Sequence, residues 1–74
     1  MAQVAAKSEV TGSVWKILKQ PGDSFEAEDV LMIIESMKME IPVLAEKAGK
    51  VLTVTTEEGS SVNEGDTIML LELV

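Results

Sequence analysis

The sequence predicts an all-β fold made of two similar units of about four short strands, related by a pseudo-twofold axis. Three observations carry this. Shifted by 37 residues, half its length of 74, the chain matches itself without a gap. Its apolar segments are short, and they end at turn signals marked by Gly or Pro. Helical periodicity is poor, because Gly or Pro interrupts before a helical pattern can lengthen.

In the first half, S-V-W-K-I-L-K reads as a strand that ends at Q-P-G-D, where Pro21 and Gly22 suit the central positions of a type II turn. The apolar run V-L-M-I-I-E-S-M closes that half, and M-E-I-P-V opens the next. The second half continues with V-L-T-V-T-T, rich in β-branched residues and ending at E-E-G-S. A further turn at N-E-G-D leads into the strand T-I-M-L-L-E-L. The repeat superimposes Gly12 on Gly49, Gly22 on Gly59, Asp29 on Asp66, Met32 on Met69 and Glu35 on Glu72. Apolar positions follow, with Val14 on Val51, Phe25 on Val62, Leu31 on Ile68 and Ile34 on Leu71. Glycines, acids and apolar residues matching together imply a real duplication within one domain, 1–74, with units 1–37 and 38–74. Closed face to face, the units would share one core and leave few exposed edges.

Lys38 falls at the junction of the units, where one strand hands over to the next. Met37, Met39, Ile41 and Val43 share one strand parity, and Ser36, Lys38 and Glu40 share the other. Lys38 is therefore expected at a hairpin tip, pointing outward and opposite the methionines.

Composition narrows the function. The chain has no His, Cys, Tyr or Arg, and its six basic residues are all lysines. The usual general base, thiol nucleophile and bidentate anion clamp are thus missing, which argues against a self-sufficient enzyme. A formal charge of −7 repels nucleic acid and anionic membranes. The longest apolar run, Val30 to Ile34, has five residues, far short of a membrane span. The first ten residues hold no apolar block of signal-peptide length, so a cytoplasmic or matrix-like setting is expected; on its own the chain is expected to be monomeric. The acids of Phe25–Asp29 and the pair Glu57-Glu58 are expected to be solvated loop charge, with a spacing unlike an EF-hand loop. Trp15 is expected to pack with its N–H near the surface.

The stretch E-S-M-K-M-E, residues 35 to 40, resembles the attachment motif of the biotinyl domains of biotin-dependent carboxylases and decarboxylases. The chain is especially similar to the free-standing biotin/lipoyl attachment proteins. The likeness runs through V-T-G-S-V-W, P-G-D-S-F, A-G-K-V and E-G-S-S-V-N-E-G-D. It implies a flattened β-barrel, or barrel-sandwich hybrid. No thumb insertion is expected, since the halves match without a gap. It also implies that a biotin protein ligase, presenting biotin as an acyl-adenylate, joins it covalently to Lys38. The resulting arm would then carry a carboxyl group from a biotin carboxylase to a carboxyltransferase. Where family members often have a proline-containing stretch before the first glycine, this chain has S-E-V-T-G, residues 8 to 12.

The resemblance makes Glu35, Ser36, Met37, Met39 and Glu40 the recognition residues around Lys38. For Met37 and Met39 two readings stay open: gap-fillers beside the core, or a contact surface for the carboxylase subunits. Lipoate is the alternative cofactor, in an acyl-transfer or glycine-cleavage complex. Lipoyl domains typically place an acidic residue before the lysine and often Ala after it, so methionine on both sides favours biotin. The resemblance also implies that the ligase deprotonates the Lys38 amine in its own site.

Overall fold

Eight strands connected by tight turns form the computed structural model, which describes residues 2–74; Met1, at the start of the expected unit 1–37, lies outside the described residues. The first half supplies β1 (Ala2–Lys7), β2 (Gly12–Ile17), β3 (Ser24–Phe25) and β4 (Val30–Ser36). The second supplies β5 (Met39–Leu44), β6 (Gly49–Val54), β7 (Ser61–Val62) and β8 (Thr67–Leu73). Each strand of the second half begins and ends 37 residues after its counterpart in the first, with no insertion between them.

The halves do not form separate layers. One antiparallel sheet has the order β1-β8-β6-β3 and the other β5-β4-β2-β7, so each sheet takes two strands from each half. The shared core lies between the sheets. It consists of repeat-related pairs: Val14 with Val51, Phe25 with Val62, Leu31 with Ile68, Met32 with Met69, and Ile34 with Leu71. Ala45 completes it, opposite in the repeat to Ser8, the one buried polar residue among those described. The Ser8 hydroxyl donates to the Val10 carbonyl at 2.6 Å, while its backbone exchanges hydrogen bonds with the Gly65–Asp66 turn. S-E-V-T-G is therefore anchored by serine rather than by proline.

Backbone bonds link the two halves in matched sets, extending the β3–β6 and β2–β7 ladders. Gly22 N–H donates to Val51 O at 2.8 Å and Val51 N–H to Asp23 O at 2.9 Å. Their counterparts run from Gly59 N–H to Val14 O and from Val14 N–H to Ser60 O. On the side where β1 and β5 are both edges, the sandwich is open. A groove of about 710 Å³ runs between them, lined by Val4, Ala6, Ile41 and Val43 among others.

Bulges explain one departure from the expected packing. The β2–β4 ladder passes from Val14 to Lys16, leaving Trp15 unpaired and 45% exposed, with the Lys16 amine 5.8 Å from its ring centroid. Trp15 thus lies outside the core. The extra residue re-aims the strand, and its counterpart Leu52 is likewise skipped by its ladder and partly exposed.

The acidic run contains a turn that its composition conceals. Gln20–Asp23, Glu26–Asp29, Glu57–Ser60 and Asn63–Asp66 each close with an N–H of the fourth residue on the carbonyl of the first, at 2.9–3.1 Å. The third residue has positive φ in all four: Gly22, Glu28, Gly59 and Gly65. In three of them an aspartate at the fourth position also accepts from the first residue's N–H. Glu58, expected as free solvated charge, accepts the Ile17 N–H at 3.0 Å, so both acidic stretches contribute structural hydrogen bonds.

Glu28 adopts φ 72° where the repeat uses glycine. A side chain in the left-handed region costs about 1–2 kcal/mol, part of which glycine gives back as lost entropy. Glu28→Gly should therefore raise stability by about 0.5–1 kcal/mol and lift the thermal midpoint by a few degrees, read by circular dichroism. Gly12→Ala should act in the opposite sense, because a Cβ there runs into the Glu35 carbonyl oxygen. A loss of about 2–3 kcal/mol in a urea melt is expected.

Candidate functional site

The β4–β5 hairpin is closed by the rung Ser36↔Met39, leaving only Met37 and Lys38 in the loop. Their φ values, 52° and 65°, are both positive, as a type I′ turn requires. Such turns favour Asn-Gly, since most side chains in the left-handed region clash with their own backbone. Met-Lys is a poor local choice, and the strand pairing on either side imposes it. On the next rung Glu35 stands directly across from Glu40, a like-charge pairing that weakens a hairpin.

Met37 is 92% exposed and Met39 64% exposed, which overturns the reading of these residues as gap-fillers beside the core. Strand parity fails here because Met37 belongs to the turn, and Met39 opens a strand beyond the cover of the facing sheet. Further along that face Ile41 and Val43 are half-buried. Lys38 is exposed between the two methionines. Among the described residues the one ion pair joins Lys19 to Asp29 at 4.0 Å, so the Lys38 amine has no carboxylate partner. The β1–β5 groove and a smaller concavity around Gly49 both miss residues 35–40. The site is convex: an amine on a stalk, surrounded by apolar thioethers and acidic side chains.

A clasp holds the stalk at its base. Ser36 Oγ donates to the Thr11 carbonyl at 2.8 Å, and Thr11 Oγ1 accepts from Glu64 N–H at 3.1 Å. At the pseudo-symmetric end of the fold, Val74 N–H donates to Ala48 O at 3.2 Å. The residue matching Val74 is Met37, which has turned into the loop, and the Ser36 hydroxyl serves the equivalent carbonyl instead. Gly12 next to it lets β2 approach the Glu35 carbonyl closely, so the hairpin rests on a tight backbone contact.

The fold thus gathers Glu35, Ser36, Met37, Met39 and Glu40 around Lys38. Four of them are exposed, while Ser36 is half-buried and committed to Thr11. Thr11 was not singled out by its residue type. The one pointer to it in the sequence is its place beside Gly12, which pairs with Gly49 in the repeat. The chain has no His or Cys, so the tip offers an amine flanked by carboxylates and thioethers, without an imidazole or thiol. It can be acylated by an outside enzyme. An amide tether needs only an accessible amine with free space around it, and this tip provides both.

A model of the family described as biotin-requiring enzyme matches residues 3–71. The chain is 46% identical over 65 residues to the biotin/lipoyl attachment protein of Bacillus subtilis, covering 88% of this chain and 86% of that one. The crystal structure of Kluyveromyces lactis urea carboxylase contains a similar fold at TM-score 0.90 and 38% identity, spanning 97% of this chain and 6% of that one. The lipoyl domain of the Azotobacter vinelandii 2-oxoglutarate dehydrogenase complex is similar at TM-score 0.74 and 28% identity, over 85% of this chain and 80% of that one.

Replacing Ser36 by Ala leaves the Thr11 carbonyl without its donor. The variant should lose about 1 kcal/mol in denaturant unfolding, with the loss concentrated in faster amide exchange at the hairpin. Ser36→Thr keeps the hydroxyl and should recover most of that loss.

Proposed function

This chain belongs to the biotin- and lipoyl-attachment family, and from that membership we propose that it is a biotin carboxyl carrier modified at Lys38. The observation that carries the proposal is the exposed lysine on a strained two-residue turn, flanked on both sides by exposed methionines. A biotin protein ligase deprotonates the Lys38 amine in its own site and offers an activated acyl-adenylate. The amine attacks the acyl carbon, an amide forms, and AMP leaves with the electrons of the broken acyl–oxygen bond. Biotin, once attached, supplies a ureido nitrogen able to hold a carboxyl group. The chain's own residues do the positioning. The β4–β5 hairpin fixes the root of the arm, the Ser36–Thr11 clasp steadies the hairpin, and Met37 and Met39 present apolar surface to the partners. Those partners are the ligase, a biotin carboxylase and a carboxyltransferase, in a cytoplasmic setting. Holding the arm on a tip replaces free diffusion with a high local concentration at each site.

Lipoate is the second reading, supported by the similarity to a lipoyl domain. The fold is common to both cofactors, so the discrimination rests on the flanking side chains. Methionine on each side of Lys38 favours biotin.

Intact mass measurement after co-expression with an active biotin protein ligase should show one biotinyl group, and peptide mapping should place it on Lys38. Lys38→Arg should keep the circular dichroism spectrum and melting midpoint and lose all labelling. A lipoyl group added by a lipoyl ligase, with no biotin uptake, would exchange the first reading for the second. An unmodified chain after treatment with both ligases would refute a carrier role.

A further inference from the structure

The four methionines among the described residues fall into two classes. Met32 and Met69 are repeat partners at 0% exposure in the centre of the core. Met37 and Met39, at 92% and 64%, flank Lys38 at the tip. The fold does not ask for sulfur there. The strand position equivalent to Met39 is occupied in the other half by Ala2, and that equivalent to Met37 by Val74. Exposed methionine is an accessible target for two-electron oxidation, whereas a buried thioether is shielded.

We propose that Met37 and Met39 are a reversible oxidation switch: peroxide converts them to sulfoxides, spares Met32 and Met69, and withdraws Lys38 from its enzymes. The sulfur lone pair attacks one peroxide oxygen, and the O–O bond breaks. That oxygen stays on sulfur, and the other leaves as water, so the thioether loses two electrons and the peroxide gains them. A dithiol-dependent methionine sulfoxide reductase reverses the step, oxidising its thiols to a disulfide and releasing the oxygen as water. The apolar collar around Lys38 becomes a pair of polar acceptors, which an enzyme must desolvate before it can close over the lysine. The sheets hold their packing because neither tip methionine contributes to the core.

The consequence for Lys38 rests on its modification by a biotin ligase, so the test separates the two. The whole chain is treated with hydrogen peroxide and mapped by peptide mass, then incubated with biotin, ATP and a biotin protein ligase. Oxygen should appear on Met37 and Met39 well before Met32 and Met69, with the melting curve retained. The labelling rate should fall about tenfold, as expected for replacing apolar contact by polar groups at a closed interface. Methionine sulfoxide reductases A and B with dithiothreitol should restore it. In Met37→Leu/Met39→Leu, whatever its untreated rate, the ratio of treated to untreated labelling should stay near one. Equal oxidation of core and tip, an unchanged rate in the oxidised protein, or the same loss in the leucine variant would each overturn the switch alone. Failure to label the untreated protein would overturn the role of Lys38, and the switch's consequence with it.

Discussion

Neither half of this chain can bury its apolar strands alone, and the exchange of strands between halves is the constraint on which the rest depends. A domain of this size has little surface to remove from water. Stacking two self-contained four-stranded sheets would have left every sheet-to-sheet link to side-chain packing. Instead β8 and β6 lie between β1 and β3, while β4 and β2 lie between β5 and β7. The core then forms from matched pairs such as Met32 and Met69, and backbone bonds such as Gly22 to Val51 lace one half's turn to the other half's strand. Local and distant contacts reinforce each other, which gives a small domain a well-defined native state.

Against that consistency, the hairpin tip is where local rules are broken together. Met37 and Lys38 occupy a left-handed turn better suited to Asn-Gly, two methionines face water, and Glu35 stands across from Glu40. Each is a modest local cost, and none improves the packing of the core. Such clusters of disagreement between local preference and global fold are expected at functional sites. In the other half the positions matching Met37 and Met39 hold Val74 and Ala2, and Glu72 faces Gln3 rather than a second acid.

Much of this was legible in the sequence, because duplication makes the chain its own comparison. The repeat and its turn signals marked β2, β4, β5, β6 and β8, the Pro21-Gly22 turn and the Lys38 junction. The interleaving of the sheets was not legible, since identical apolar patterns suit both stacked and exchanged strands. Glu28 hid a turn because the eye looks for glycine; the repeat already aligned it with Gly65. Trp15 escaped because a bulge is a matter of ladder register, which single-strand alternation does not encode. The two readings of Met37 and Met39 stayed open for a related reason. Alternation assigns a face to a residue but says nothing about where the opposing sheet stops.

The terminal rung has a consequence of its own. Ala2 pairs with Leu73, so the two ends of the described chain lie side by side. β3 pairs with β6 at that same end and leads through one turn into β4, which then runs away from it along a molecule 35 Å in its longest dimension. Polypeptide continuing from both ends would leave as adjacent strands at the pole remote from Lys38. A domain with this plan can hang from a longer chain as a pendant, adding almost nothing to the distance between the segments on either side. Its working end would stay clear of both connecting strands, so a linker could be lengthened, shortened or stiffened without crowding the lysine.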